Sequence, residues 1–237
     1  MKKIMLLFLL ALAFQRLPAQ FNGILHYEND YVDAWFGSKG EVLTDIYESD
    51  PMIRIEAKDT SFTKGDVTKQ NTLLIDISKG TETHLLQMMQ KGIVYNTSDR
   101  EKQAQMMNDQ VHTVFNFENL GPEKIGNFNC THFVMTKSYA KLKTLKPARF
   151  DIWITKDLGS SNIWYVGRYL YFFDGMDLYK KLGAAGADGI VVKWQETEST
   201  STTCILTSYQ QENLPSSTFT PPSDYTIVNA PNFPLKN

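Results

Sequence analysis

Apolar and polar residues alternate along most of the chain after residue 20, which is the pattern of β-strands with one buried and one wet face. In the stretch Met52 to Ala57, Ile53 and Ile55 share one side while Arg54 and Glu56 share the other. Similar stretches predict a meander of about ten antiparallel strands. The predicted strands are Phe21 to Glu28, Glu41 to Glu48, Met52 to Ala57, Thr72 to Ser78, Thr83 to Met89, Gly92 to Asn96, His112 to Glu118, Asn129 to Lys137, Arg149 to Thr155, Ile190 to Thr197 and Thr202 to Gln210.

Turn signals separate these strands. Asp50-Pro51, Lys79-Gly80-Thr81 and Asn119-Leu120-Gly121-Pro122 each carry the residues that tight turns prefer. Between Ser98 and Gln110 the composition favours a short helix or a polar loop. The tail from about residue 214 is rich in proline, so we expect it to lie along the surface and not to form a central strand.

One region late in the chain has the sequence pattern of helices instead of strands. Ser160 or Ser161 is a plausible N-cap for a helix over Asn162 to Phe173, and Asp174-Gly175 ends it before a second short helix over Met176 to Leu182. The sequence therefore predicts a helical pair inserted into an otherwise β meander.

The first twenty residues have the order of a secretory signal peptide. Lys2 and Lys3 precede an apolar run from Ile4 to Phe14, and Ala19 offers a small residue for cleavage. A membrane-spanning helix needs about 20 apolar residues, so this run is too short for an anchor, and we expect no transmembrane span in the mature chain. We expect cleavage near Ala19 or Gln20 and a periplasmic or secreted protein.

Composition is that of a folded globular protein, with 42% hydrophobic and 21% charged residues in 237. Three of the 24 basic residues lie in the leader, so the mature chain carries 21 basic and 26 acidic residues, a net charge of −5. This balance argues against nucleic-acid binding, which needs a basic surface. We find no catalytic motif, no histidine spacing typical of a metal site and no cofactor motif, so we predict no enzyme, metal or cofactor.

Aromatic residues are concentrated in the first predicted helix. At helical spacing they surround it, so this helix must be buried. Two interpretations follow: the rings fill the core as ordinary packing, or some of them line a cavity for an apolar ligand. The candidate ligand-binding residues are Trp164, Tyr165, Tyr169, Phe172 and Phe173.

Cys130 and Cys204 are the two cysteines, and an exported chain with an even count can form one disulfide. In a simple meander two strands lie between theirs, which gives a separation of about 14 Å at about 4.8 Å per strand. A bridge needs Cα atoms within about 7 Å, so the spacing favours two buried thiols over a disulfide.

Two further features concern a basic connection and a pair of methionines. The Ser138 to Ala148 connection and its borders carry Lys137, Lys141, Lys143, Lys146 and Arg149, which suits either a solubilising hairpin tip or contact with anionic lipid headgroups. Met88 and Met89 fall at the end of a predicted strand, where we expect core packing.

Several motifs occur in a characteristic order along the chain. They are Phe21 to Glu28, Ile53-Arg54-Ile55-Glu56, Lys124 to Cys130, Ile152 to Gly159, and a C-terminal motif with Phe219, Pro222 and Tyr225. In these motifs the sequence resembles an uncharacterised family of secreted proteins, a domain of unknown function common in Bacteroidetes. The resemblance covers nearly the whole mature chain.

The resemblance implies a fold similar to the LolA/LolB-type periplasmic lipoprotein carriers. We therefore expect a mainly β (α+β) domain over residues 21–237, with a curved antiparallel sheet forming an open half-barrel and the helical pair packed on its concave face. Two functions fit. The protein binds a lipid or other apolar or amphiphilic ligand between sheet and helices, or it is a cell-envelope structural or interaction module with a protein partner and a fully packed core.

Overall fold

The computed structural model describes residues 20–32, 39–59, 70–99, 102, 106, 112–142, 144, 146–161, 183–197 and 202–231. Twelve strands in these residues form one large, curved, open sheet. In chain order they are β1 Gly23–Val32, β2 Lys39–Ser49, β3 Met52–Asp59, β4 Gln70–Asp76, β5 Thr81–Leu86, β6 Lys91–Asn96, β7 Thr113–Ile125, β8 Phe128–Tyr139, β9 Ala148–Thr155, β10 Ile190–Glu196, β11 Thr203–Gln211 and β12 Thr226–Asn229.

The sheet consists of two meanders joined side by side. Across the sheet the order is β12-β6-β5-β4-β3-β2-β1-β11-β10-β9-β8-β7. Neighbouring strands pair antiparallel, except that β12 lies parallel to β6. The join is the β1–β11 pair, in which Gly23 faces Gln211.

Alternation along each strand gives the sheet two different faces. Ile53 and Ile55 of β3 are buried on one face, which we call the inner face, while Arg54 and Glu56 lie on the other, the outer face. The cross-strand register carries this division to the neighbours, since Ile55 is opposite Ile46 on β2 and Leu73 on β4. The predicted one-sided sheet is therefore confirmed.

The main core lies on the inner face. Its buried residues come from β1 to β4 and β7 to β11, from the connection between β9 and β10, and from Phe21 just before β1. Tyr27 shows the bend of the sheet, because its hydroxyl reaches past β11 and donates to the carbonyl of Val191 on β10 at 2.9 Å. The core members with at most 2% exposure are Phe21, Leu25, Ile46, Ile53, Ile75, Phe133, Met135, Ile152, Ala187 and Ile190.

The chain after β11 crosses part of the outer face. A 3-10 turn at Ser216–Phe219 buries Phe219, and the Thr218 carbonyl accepts a hydrogen bond from Arg54 of β3 at 2.8 Å. β12 then pairs with β6, where Gly92 leaves room for its neighbour: a Cβ there would come within 2.5 Å of Ile227. This covering explains why Leu74 and Leu85 are buried although they point to the outer face.

Two predictions from the sequence were wrong in detail. Met88 and Met89 are not strand residues packed in a core; they lie in a 3-10 turn, 81% and 67% exposed. The turn expected at Asn119 to Pro122 is a bulge inside β7, because pairing with β8 continues on both sides of it. The tail forms no central strand, as predicted from its prolines; it supplies the short strand β12 at the edge of the sheet.

Other predicted features fall outside the described residues. They are the leader up to Ala19, most of the segment from Ser98 to Gln110, and the helical pair within residues 162–182. No helix in the described part is both long and apolar enough to cross a membrane.

Candidate functional site

The inner face is the broadest apolar surface in the described part of the chain. One row of directly opposed residues runs Leu25, Ile46, Ile55 and Leu73 across β1 to β4. Burying each such aliphatic side chain contributes roughly 1.5 to 3 kcal/mol. A second row runs Cys204, Trp194, Ile152 and Phe133 across β11 to β8. Together the rows form an apolar floor on both sides of the β1–β11 join.

A buried carboxylate lies at one border of this floor. Glu48 of β2 has 0% exposure and lies opposite Gly23 and Ile53. Its Oε2 accepts a hydrogen bond from the Ser161 hydroxyl at 2.5 Å, and its Oε1 accepts one from the Gln20 side-chain amide at 3.2 Å. Charge-assisted hydrogen bonds of this kind compensate the cost of burying a carboxylate.

These bonds attach the chain after β9 to the inner face. The Phe21 amide donates to the Ser160 carbonyl at 2.7 Å, and Gln20 forms a parallel bridge with Ser160. Leu158, a few residues earlier, belongs to the main core. The connection that leaves β9 is thus fixed beside β1 and β2 before residue 162.

The same connection returns to the core before β10. Ala187 is 1% exposed within the core, and Ala185 packs against it. Gly189 is needed here because a Cβ would lie 2.1 Å from the Thr155 carbonyl oxygen. Lys156 and Asp188 form an ion pair that links the two ends of the connection. Both flanks of residues 162–182 are therefore anchored on the inner face.

All five predicted ligand-binding residues, Trp164, Tyr165, Tyr169, Phe172 and Phe173, fall outside the described residues. What the structure brings together is the floor and the two flanks of the segment that carries them. The Glu48–Ser161 contact joins residues 113 apart in sequence, and sequence reasoning identified Ser161 as a plausible helix cap but missed Glu48.

The two cysteines lie on opposite faces of the sheet. Cys204 is in the main core on the inner face, and Cys130 is in a small outer-face cluster with Trp153 and Val192. Both are free thiols. Burial raises the pKa of Cys204 to about 12 and raises the pKa of Cys130 above its ordinary value. Burial also raises the pKa of Tyr27 well above its usual range, with smaller contributions from Cys204 and Glu48.

The family follows from a comparison with known proteins. Residues 37–225 match the domain of unknown function DUF4412. The chain belongs to this family. The predicted membership in a domain of unknown function is thus confirmed, while no curated protein matches this DUF4412 chain.

Two solved structures are similar to the DUF4412 chain. One is the lipoprotein LppX of Mycobacterium tuberculosis, 12% identical, with 82% of this chain and 89% of that chain covered at a TM-score of 0.36. The other is a LolA superfamily protein, NE2245, from Nitrosomonas europaea, 7% identical, with 86% and 92% covered at a TM-score of 0.34. Neither score carries a functional argument.

The outer face of the DUF4412 domain holds a polar cluster that the sequence did not reveal. His132 Nε2 lies 2.9 Å from Asp151 Oδ1, and its Nδ1 lies 3.0 Å from Glu123 Oε2. Its ring stacks on Trp153, whose indole donates to Glu123 at 2.8 Å. The Lys193 ammonium lies over the Trp153 ring, 4.9 Å from its centroid. The cluster ties β7 to β10 together and orients the imidazole between two carboxylates.

A group of carboxylates lies elsewhere on the outer face. Oxygens of Glu28, Asp30 and Glu41 lie within 4.8 Å of one another. Glu28 and Asp30 are exposed, and such acidic groups on a wet strand are common without an ion, so we assign no metal to them.

Proposed function

We propose that this protein binds an apolar or amphiphilic molecule, a lipid or an acyl chain, between the inner face of the sheet and residues 162–182. The observation that carries the proposal is the anchoring of both flanks of that segment on the inner face. Ser161 is fixed to Glu48 at one flank, and Ala185 and Ala187 pack into the core at the other.

The composition of the segment fits this role. We infer that the side chains of this segment meet the floor between its two anchored ends, and its sequence is dense in aromatic rings. Ligand pockets are mostly apolar, as this floor is. The aromatic residues of the segment are Trp164, Tyr165, Tyr169, Tyr171, Phe172, Phe173 and Tyr179.

The proposal includes the architecture and location expected from the sequence. The segment forms the helical pair that closes the concave side of a half-barrel, and the first twenty residues export the chain to the periplasm or beyond. The absence of a catalytic motif in the sequence supports a binding role without chemistry.

Native mass spectrometry tests the proposal on the chain from Gln20 to Asn237, purified without detergent from a bacterial periplasm. We expect a stoichiometric adduct of lipid size, which extraction then identifies. A clean apo mass, with no rise in melting temperature across a panel of fatty acids and phospholipids, contradicts the proposal. That result supports the alternative, an envelope module with a packed core and a protein partner.

Variants separate ligand contacts from core packing. Tyr169→Ala and Phe172→Ala should reduce uptake of a fluorescent fatty acid by more than they reduce stability. Tyr47→Ala is the matched control, because Tyr47 lies on the outer face beside Arg54. If the two segment variants lose several kcal/mol of stability, as core truncations do, and there is no uptake to lose, the rings are core.

A further inference from the structure

The two ends of the sheet are built differently. At one end, the turn end, three pairs of consecutive strands join through the short turns Asp50-Pro51, Ile77 to Gly80 and Gly126-Asn127, and β9 joins β10 through residues 156–189. At the other, the loop end, they join through residues 33–38, 60–69, 87–90, 140–147 and 197–202. The antiparallel register places all five of these connections at the same end.

The loop end exposes large apolar side chains that the fold does not use. Met88 is 81% exposed, Met89 is 67% exposed and Leu142 is 39% exposed. The methionines occupy a 3-10 turn that buries none of its residues. Unbranched thioethers adapt to irregular apolar surroundings, which suits insertion into a partner.

Basic side chains lie in the β8–β9 connection that also carries Leu142. The sequence from Lys137 to Arg149 contains five basic residues and no acidic one, and within it Lys141 and Lys146 are exposed next to Leu142. The mature chain is acidic overall, so this segment is a local exception. An anionic surface would therefore attract the protein by the β8–β9 connection, whereas the carboxylates of Glu28, Asp30 and Glu41 near the β1–β2 connection do not contribute to this attraction.

The positions of these exposed apolar side chains along the sheet indicate how wide their partner must be. The β5–β6 turn with Met88 and Met89 and the β8–β9 connection with Leu142 lie near opposite edges of the twelve-strand order. Six strands separate β5 from β9 in this order, so a partner that contacts both connections must extend across several strands of the sheet. A lipid bilayer with anionic headgroups is broad, accepts apolar side chains in its interface and attracts lysine.

We propose that the loop end docks on an anionic lipid bilayer, with Met88, Met89 and Leu142 in the interface and Lys141 and Lys146 against the headgroups. This surface is separate from the floor and flanks of the inner face. Docking therefore goes beyond the proposed function and can hold whether or not a ligand binds inside.

Vesicle co-sedimentation tests the docking. The wild-type chain from Gln20 should bind phosphatidylcholine vesicles that contain one third phosphatidylglycerol more tightly than pure phosphatidylcholine vesicles, and salt should weaken the difference. The variant K141Q/K146Q should lower the partition coefficient on anionic vesicles by about 30-fold, since each lysine near such a surface contributes about fivefold. M88S/M89S should weaken binding to both kinds of vesicle.

Matched variants elsewhere serve as controls. K79Q/K124Q makes the same charge change near the turn end, and L120S removes an exposed apolar side chain from β7. Both should bind vesicles as the wild type does. Equal binding to the two vesicle types, or equal losses in control and loop-end variants, overturns the proposal. Tyr169→Ala should keep vesicle binding, so failed docking and failed ligand uptake remain distinct results.

Discussion

Tyr27→Phe probes the bend of the sheet and its main core. Tyr27 is 3% exposed, and its hydroxyl donates to the Val191 carbonyl at 2.9 Å across β11. Removing the hydroxyl leaves that buried carbonyl without this donor, which should cost about 1 to 3 kcal/mol. With an m-value of about 2 kcal/mol/M, the urea midpoint should fall by about 0.5 to 1.5 M. Tryptophan fluorescence reports it, since Trp194 lies in the same core.

Tyr47→Phe is the control for this measurement. Tyr47 lies half-buried on the outer face, and its hydroxyl is a full 3.5 Å from Glu56 Oε2. Its loss should cost about 0.5 kcal/mol or less, as for most surface changes. Equal midpoints for the two variants would show that the Tyr27 hydroxyl makes no buried bond, and the argument for the inward bend would fail with it.

Two further predictions concern titratable groups. Burial of Asp76 is outweighed by hydrogen bonds from Lys79 and Ser78, which lower its pKa from 3.8 to about 2. Its ionised form therefore stabilises the fold above about pH 4, and this contribution is lost as pH falls through 2. Asp76→Asn should cost about 1 kcal/mol at neutral pH after solvent screening, with the loss shrinking in acid-denaturation curves. Cys130 and Cys204 should react with a thiol reagent only slowly until urea unfolds the chain, because both are buried and their pKa values are raised; fast labelling in native buffer would contradict their placement.

Strands with clear alternation could be predicted from the sequence because each is specified locally. Ile53 and Ile55 against Arg54 and Glu56 give β3 without knowledge of its neighbours. Met88 and Met89 were misassigned because the apolar run continues past Leu86, whereas the chain turns there and Gln90 takes a left-handed backbone conformation.

At Asn119 to Pro122 the error was the opposite one: the sequence predicts a turn, and the structure has a strand that continues. Asn119 to Pro122 has the composition of a turn, yet β8 is long enough to pair on both sides of it, so the extra residue becomes a bulge. In the tail, Pro222 and Pro231 flank β12 and do not interrupt it, so the tail forms an edge strand and no central strand, in agreement with its composition.

The site was less predictable than the fold because its contacts are distant in sequence. The aromatic candidates follow from composition, but their anchoring depends on Glu48 meeting Ser161. The outer-face cluster likewise needs the β7–β8–β9 register, which brings Glu123 and Asp151 to His132. Single histidines in a sequence carry no sign of such partners.

The join between β1 and β11 has a consequence for how the chain acquires its structure. Most pairs in the sheet unite neighbours in sequence, but Gly23 and Gln211 are close only when almost the whole chain exists. Closing so long a loop costs more entropy than closing a hairpin, and contacts of this range slow folding. Within each meander the strands pair with their neighbours in sequence, whereas the β1–β11 pair can form only after β11 has been made. A chain still emerging from a ribosome or a translocation pore thus has its first strand without its second neighbour, which favours completion of the fold after release.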